Sequence, residues 1–187
     1  MKLEITFTLR IEKVYEYDIS HELQSEIQDL LIASFPDVYP EHRIYFKQLP
    51  HLRFLVYNQE DRLVGHVGLD YRVMNLNKKP IRVLGVIDLC VSQSARSQGI
   101  GSSLLAELDQ FCAGRNIDFI LLFADNMTLY LKNGYKPVKN KCKWLKIDDG
   151  FQTSIGLGHE AMDELMIKKV GKIDWEEADL DLLGYLY

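Results

Sequence analysis

Polar and apolar residues alternate at the start of the chain. Leu3, Ile5, Phe7, Leu9 and Ile11 fall on one side of an extended backbone, which predicts a half-buried strand. The apolar period then lengthens to 3.6. Leu23, Ile27, Leu30, Leu31 and Phe35 mark a helix that Ser20 can cap, and the segment from Phe35 to Pro40 stops it. A short helix is expected over 41–47. Period-two patterning returns in Phe54–Tyr57 and Leu63–Val73, two strands joined by the polar turn Asn58–Arg62. After a turn at Asn75–Pro80, Ile81–Val91 is apolar enough to be central in a sheet. From Gly99 a second helix carries Ile100, Leu104, Leu105, Leu108, Phe111 and Cys112 on one face, with Gly114 as its stop. The unbroken run Phe119–Phe123 predicts a strand buried on both faces. A short helix fits Asn126–Asn133, closed by Gly134, because Pro137 cannot continue it. Trp144–Ile147 and Leu165–Val170 read as closing strands. Hairpin-linked strands followed by strand–helix–strand–helix define a mixed α/β sheet in one domain spanning 1–187.

Composition narrows the function classes. At 47% apolar and 26% charged, with 12 Gly and 5 Pro, the chain is neither disordered, collagenous nor a coiled coil. No apolar run approaches the roughly 20 residues that cross a bilayer, so no membrane is expected. The alternation from Met1 to Ile5 is unlike a secretory leader, and a cytoplasmic location is expected. Cys90, Cys112 and Cys142 are odd in number and lack a Cys-x-x-Cys pair, which argues against a disulfide framework or zinc site and for a reducing compartment. One of them could be a reactive thiol, but Cys90 and Cys112 sit in apolar patterns and suit buried positions. No metal is predicted.

The net charge of −5 (22 basic, 27 acidic residues) disfavours sequence-independent nucleic-acid binding. Its distribution is uneven. Six lysines and no acid lie in 132–146, whereas 148–187 holds three lysines and ten acids. Two solvated faces would explain this, and so would a basic patch for an anion beside an acidic surface for a cationic substrate.

The segment Val91-Ser92-Gln93-Ser94-Ala95-Arg96-Ser97-Gln98-Gly99-Ile100-Gly101-Ser102 leads from the central strand into the second helix. Glycines there admit a ligand close to the backbone, and free N–H groups of the first helical turn point at it. A dinucleotide turn would need glycine where Leu104 stands, and a P-loop would need Gly-Lys-Ser/Thr. Arg-x-x-Gly-x-Gly instead resembles the acyl-CoA-binding motif of the GNAT superfamily of N-acyltransferases. About thirty residues on, Leu129-Tyr130-Leu131-Lys132-Asn133-Gly134-Tyr135 resembles that family's segment beside the coenzyme thiol. The resemblance covers roughly residues 54–147. It implies a mostly antiparallel mixed sheet flanked by helices, acetyl-CoA as cosubstrate, and direct attack of an amine on the thioester. It also implies coenzyme contacts from Leu89, Val91, Arg96, Ser97, Gln98, Gly99, Ile100, Gly101 and Ser102, and a homodimer in keeping with family members that pair. The family's usual asparagine on the penultimate strand is missing: Phe123 stands there, and Asn126 is the nearest asparagine. Short stretches, Leu63–Val67, Leu121–Tyr130 and Asp179–Tyr187, resemble aminoglycoside 2′-N-acetyltransferases. His66–Leu69 resembles nodulation-type acyltransferases. Both suggest a small-molecule amine on a sugar-like acceptor.

Three tasks follow. An alkyl ammonium of pKa roughly 10 must lose a proton, a carbonyl must be polarised, and a thiolate must be stabilised as it departs. Tyr130 matches the tyrosine that serves the sulfur, although a core tyrosine would fit the same helix. Asp88, a lone acid in an apolar strand, is either the proton acceptor or a structurally hydrogen-bonded group. His66 is the rival base, and water could also serve. For the acceptor the candidates are Tyr39, Asp125 and Tyr187, the last through a terminal carboxylate folded into the site or else on an exposed tail. Acetylation of a protein or peptide, and a non-catalytic acyl-CoA sensor, are the competing functions.

Overall fold

The computed structural model describes residues 9–36 and 38–187. The predicted first strand falls partly on residues 3–8, outside the described residues; its continuation, β1 (Arg10–Tyr15), pairs antiparallel with β2 (Leu52–Tyr57). Between them lies α1 (His21–Ser34), capped as predicted by Ser20, whose hydroxyl accepts from Leu23 N at 3.2 Å. The short helix expected at 41–47 does not form. His42 adopts φ 61°, and this stretch is tied down by tertiary bonds through the carbonyls of Ile44 and Phe46.

β3 (Leu63–Leu76) and β4 (Lys79–Val91) form a long hairpin at the centre of a mixed, mostly antiparallel sheet. Its turn is tighter than the sequence suggests. Asn75 pairs with Pro80 and Leu76 with Lys79, so only Asn77 and Lys78 remain, both at positive φ (49° and 64°). That is the twist a two-residue hairpin turn needs. α2 (Ile100–Cys112) returns the chain so that β5 (Phe119–Phe123) lies parallel to β4. This pairing is brief. Val83–Gly85 match Phe119–Leu121, and beyond Gly85 the two strands part. The opening between them is where the candidate coenzyme cleft lies.

After α3 (Thr128–Lys132) come β6 (Lys136–Pro137), β7 (Lys141–Ile147), β8 (Ser154–Ala161), β9 (Leu165–Lys169) and β10 (Leu180–Tyr185). The sheet runs β6-β9-β5-β4-β3-β10-β7-β8, with β2 also bonded to β3. Alternate residues of β4 and β5 feed opposite faces. Leu84, Val86, Ile120 and Leu122 pack under α2 with Leu104, Leu105 and Leu108. Val83, Phe119 and Leu121 meet Trp144, Ile167 and Leu180 on the other side. The third cluster seats Ile27, Leu30 and Leu31 of α1 on Leu55 and Cys90. All three cysteines are buried free thiols, and burial pushes each up to about 12. No helix among the described residues is long and apolar enough to cross a membrane.

Candidate active site

The site is built around an irregularity in β4. His66 pairs with Cys90 and Gly68 with Ile87, so Val67 alone opposes Asp88 and Leu89, and Asp88 takes φ 49°. Such a bulge re-aims the strand. Ile87 and Asp88 line one recess, and Leu89, Cys90 and Val91 line another.

The second recess is a cleft of about 800 Å³ between β4, α2 and α3. Gly99 caps α2 in the left-handed conformation (φ 80°), where a Cβ would be strained, and opens its backbone to the cleft. At Gly101 a Cβ would come 3.0 Å from Leu129, so glycine lets α3 close against the turn. Of the residues expected at the coenzyme, Leu89, Val91, Arg96, Ser97, Gly99, Ile100, Gly101 and Ser102 line this cleft. Gln98 does not; it lines a separate groove beside Asn58 and Arg62. Ser92 N donates to Val64 O at 2.9 Å, which turns the main-chain groups of Val91 away from β3. Arg96 Nε donates to the Val91 carbonyl at 3.2 Å. Lys132 and Asn126 also reach the cleft, although Asn126 Oδ1 already accepts from Thr128 N at 3.0 Å. Tyr130 enters from α3, its ring edge-on to Tyr135 at 5.7 Å. Burial, reinforced by Cys90, pushes its phenol up to about 12.

Asp88 faces a recess of about 270 Å³ walled by Phe46, Lys47, Asp149 and the segment Tyr185–Tyr187. Its carboxyl is raised above the usual range by burial, against a hydrogen bond from Tyr39 and the positive charge of Arg53. Tyr39 donates that bond to Oδ2 at 3.1 Å; its ring, in contact with Phe35 and Phe46, lines neither recess. Tyr39 is thus a support for Asp88 rather than a wall for substrate. His66, the rival base, is fully buried and held well away from protonation: burial and then Arg53 push it down to about 3. It bonds Arg53 Nη1 at 2.8 Å and the Asp88 carbonyl at 2.9 Å. Asp125 is exposed and lines neither recess.

Tyr187 is docked. Its ring lies against Gly85, and the Arg72 guanidinium sits over the rings of Tyr185 and Tyr187, 4.2 and 4.6 Å from their centroids. Arg72 is held by Asp70, which also pairs with His51 (2.8 Å) and accepts from the Tyr185 hydroxyl (3.3 Å). The Tyr187 hydroxyl is buried beside this cluster without a hydrogen bond of good geometry.

A family model described as an acetyltransferase (GNAT) domain matches residues 19–138, well over half of the chain. The chain belongs to the GNAT acetyltransferase family. Among solved structures, Escherichia coli YhbS in complex with CoA superposes on this GNAT chain with TM-score 0.59 at 15% identity, covering 94% of this chain and 88% of that one. E. coli ElaA gives 0.58 at 15%, covering 87% and 100%. A GCN5-related N-acetyltransferase from Anabaena variabilis ATCC 29413 gives 0.60 at 18%, covering 72% and 34%. The chain spans about a third of the length of that protein and of two others like it, from Kribbella flavida and Enterococcus faecalis V583. At these identities the likeness concerns the fold.

The coenzyme implied by the GNAT family suits the cleft. A left-handed glycine opens the α2 N-terminus, the edge of β4 is unpaired beyond Gly85, and Lys132 and Arg96 supply positive charge. Among the described residues no His, Cys, Asp or Glu side chains gather as a metal site. Three of the ten acids in 148–187 are spent on pairing: Asp181 with Lys143, Asp174 with Lys169, Glu176 with Lys79. Asp149 is the one that lines the recess at Asp88. Sequence reasoning passed over Arg53, Arg72, Gly85 and Asp149. Arg53 and Gly85 carried a signal like that of Asp88, a misfit residue inside an apolar strand.

Proposed function

We propose that this GNAT chain transfers an acetyl group from acetyl-CoA to a primary amine of a small cationic acceptor, aminoglycoside-like or amino-sugar-like in character. One observation carries the reading: successive residues of β4 line the two recesses, so the coenzyme arm and the acceptor would meet across the Asp88 bulge. A recess of about 270 Å³ with aromatic walls and two carboxylates, Asp88 and Asp149, supports a small cationic acceptor over an extended peptide. When bound, acetyl-CoA supplies an activated acyl thioester and leaves as a thiol.

The protein's own groups divide the remaining work. Asp88, raised by burial, is a stronger proton acceptor than an ordinary carboxylate, which narrows the gap to an alkyl ammonium of pKa roughly 10. Tyr39 holds it through Oδ2. Tyr130, at about 12, keeps its proton at neutral pH and offers a hydrogen bond into the coenzyme cleft. Ile100, Gly101 and Ser102 present first-turn N–H groups at a positive helix end, where phosphates bind well.

The test is release of free thiol from acetyl-CoA with polyamines, amino sugars, aminoglycosides and peptides as acceptors. Turnover is expected with small cationic amines, and Asp88→Asn lowers it about 10²- to 10⁴-fold. Faster turnover of peptides than of any small amine refutes the acceptor assignment. Coenzyme binding without thiol release on any acceptor refutes the enzyme.

A further inference from the structure

Arg53 is the second residue of β2 and is 1% exposed. A guanidinium so placed is tolerated only when its donors are used. Nε and Nη2 donate to the two oxygens of Glu16 at 2.7 and 3.0 Å, Nη2 also donates to the Ile44 carbonyl at 2.7 Å, and Nη1 reaches His66 Nε2 at 2.8 Å. A guanidinium only donates, so His66 Nε2 accepts and the ring proton sits on Nδ1. That proton is given to the carbonyl of Asp88, 2.9 Å away. The chain of bonds therefore ends on the residue whose backbone is left-handed at φ 49°, a conformation unfavourable for a side chain with a Cβ. The other branch ends on Ile44, and Phe46, Lys47 and Gln48 of the same loop line the acceptor recess.

We propose that Arg53 and His66 are positioning residues for the reaction: His66 locks the bulge that aims Asp88, and Arg53 ties that lock to the loop walling the acceptor recess. The inference rests on Asp88 being the proton acceptor. It gives the two arms different kinetic signatures. Losing the His66 bond frees the bulge alone, whereas losing Arg53 frees the bulge and the loop together. Neither residue lines the coenzyme cleft, and Cys90 and Val91 remain paired to β3, so coenzyme affinity is untouched.

The experiment compares His66→Leu, His66→Gln, Asp88→Asn and the double variant Glu16→Gln/Arg53→Met, which avoids stranding the carboxylate. Folding is checked by circular dichroism, and coenzyme binding by titration. His66→Leu is expected to lower kcat about 10- to 100-fold with acceptor KM and coenzyme affinity within about threefold of wild type. His66→Gln keeps one donor and one acceptor and recovers most of kcat. The double variant lowers kcat and also raises acceptor KM about 10-fold. The His66 pair decides the matter should the double variant not fold. Folded His66→Leu with wild-type kcat, while Asp88→Asn is impaired, overturns this proposal alone. So does His66→Gln as impaired as His66→Leu. Asp88→Asn with wild-type kcat overturns the proton-acceptor assignment, and this proposal with it.

Discussion

Gly85 offers the sharpest probe of the acceptor wall. It is bonded into the sheet on both sides, opposite Asp70 of β3 and Leu121 of β5. A Cβ placed there falls 2.0 Å from Tyr187 Cζ, 2.2 Å from Cε2 and 2.3 Å from the hydroxyl oxygen. Ordinary carbon contacts sit at about 3.5–4.0 Å, so alanine needs about 1.5 Å of relief. The central strand cannot supply it without breaking two ladders, so the ring must leave. In leaving, it gives up its place under Arg72, a contact worth about 0.5–2 kcal/mol, together with part of its burial. Gly85→Ala is therefore expected to cost about 1–3 kcal/mol, in the range of overpacked sites. For a domain of this size that lowers Tm by about 2–4 °C per kcal/mol. Because Tyr187 lines the acceptor recess, KM for a cationic amine should rise about 10-fold, while coenzyme affinity holds, since neither residue lines the coenzyme cleft. Thermal unfolding and initial-rate kinetics read both effects. A double-mutant cycle with Tyr187→Ala isolates the clash, because alanine at 85 should cost far less once the ring is gone. Equal costs in the two backgrounds, or Gly85→Ala with wild-type Tm and KM, would refute the reasoning.

Two further predictions follow from the titrating groups. Tyr130→Phe should lower the chemical step about 10- to 1000-fold with the fold and coenzyme affinity retained; an unchanged rate at saturating substrates removes Tyr130 from the mechanism. His66 takes up a proton near 6.5 when unfolded but only near 3 when folded, so between those values the native state holds one proton fewer. Unfolding free energy should then fall by about 1.4 kcal/mol per pH unit as pH drops below 6.5, and His66→Gln should lack that component. Urea unfolding at pH 7 and 5 checks it, and parallel pH dependences for the two proteins would sink the argument.

Much of the fold is legible because its central elements keep one pattern each. β4 is apolar from Ile81 to Val91 save for Arg82 and Asp88, α1 and α2 keep a 3.6-residue stripe, and the unbroken run of β5 reflects cover on both faces. What escapes the sequence breaks those rules for physical reasons. β8 buries only Gly158, under the Trp144 ring, and its two large apolar residues, Ile155 and Leu157, stay exposed among glycines, so no core-facing pattern announces it. β10 starts as an alternating strand at Leu180-Asp181-Leu182, but Leu183 turns to φ 47° and the register shifts. At 41–47, where a helix is expected, Ile44 and Phe46 share a core cluster yet are fixed by unrelated partners, Arg53 and Gln152.

The two halves of the site differ in the same way. The proposed coenzyme half is contiguous: a strand edge, a glycine turn and a helix end follow one another from Leu89 to Ser102, so local chemistry points to most of the cleft-lining residues there, although Gln98 faces another groove. The acceptor half is assembled from Phe46, Asp88, Asp149 and Tyr187, brought together only by the sheet. Its sequence trace is therefore a set of isolated misfits. Asp88 and His66 stand out as lone polar groups in apolar strands, and such residues invite separate explanations as competing bases. Burial argues against that separation, because one desolvated polar group stabilises another by bonding to it. Arg53, the third misfit, shows how: it fixes the tautomer of His66, and His66 fixes the backbone of Asp88. Misfits on neighbouring strands are better read as one network than as rivals, and the His66 and Arg53 variants put that reading to the test.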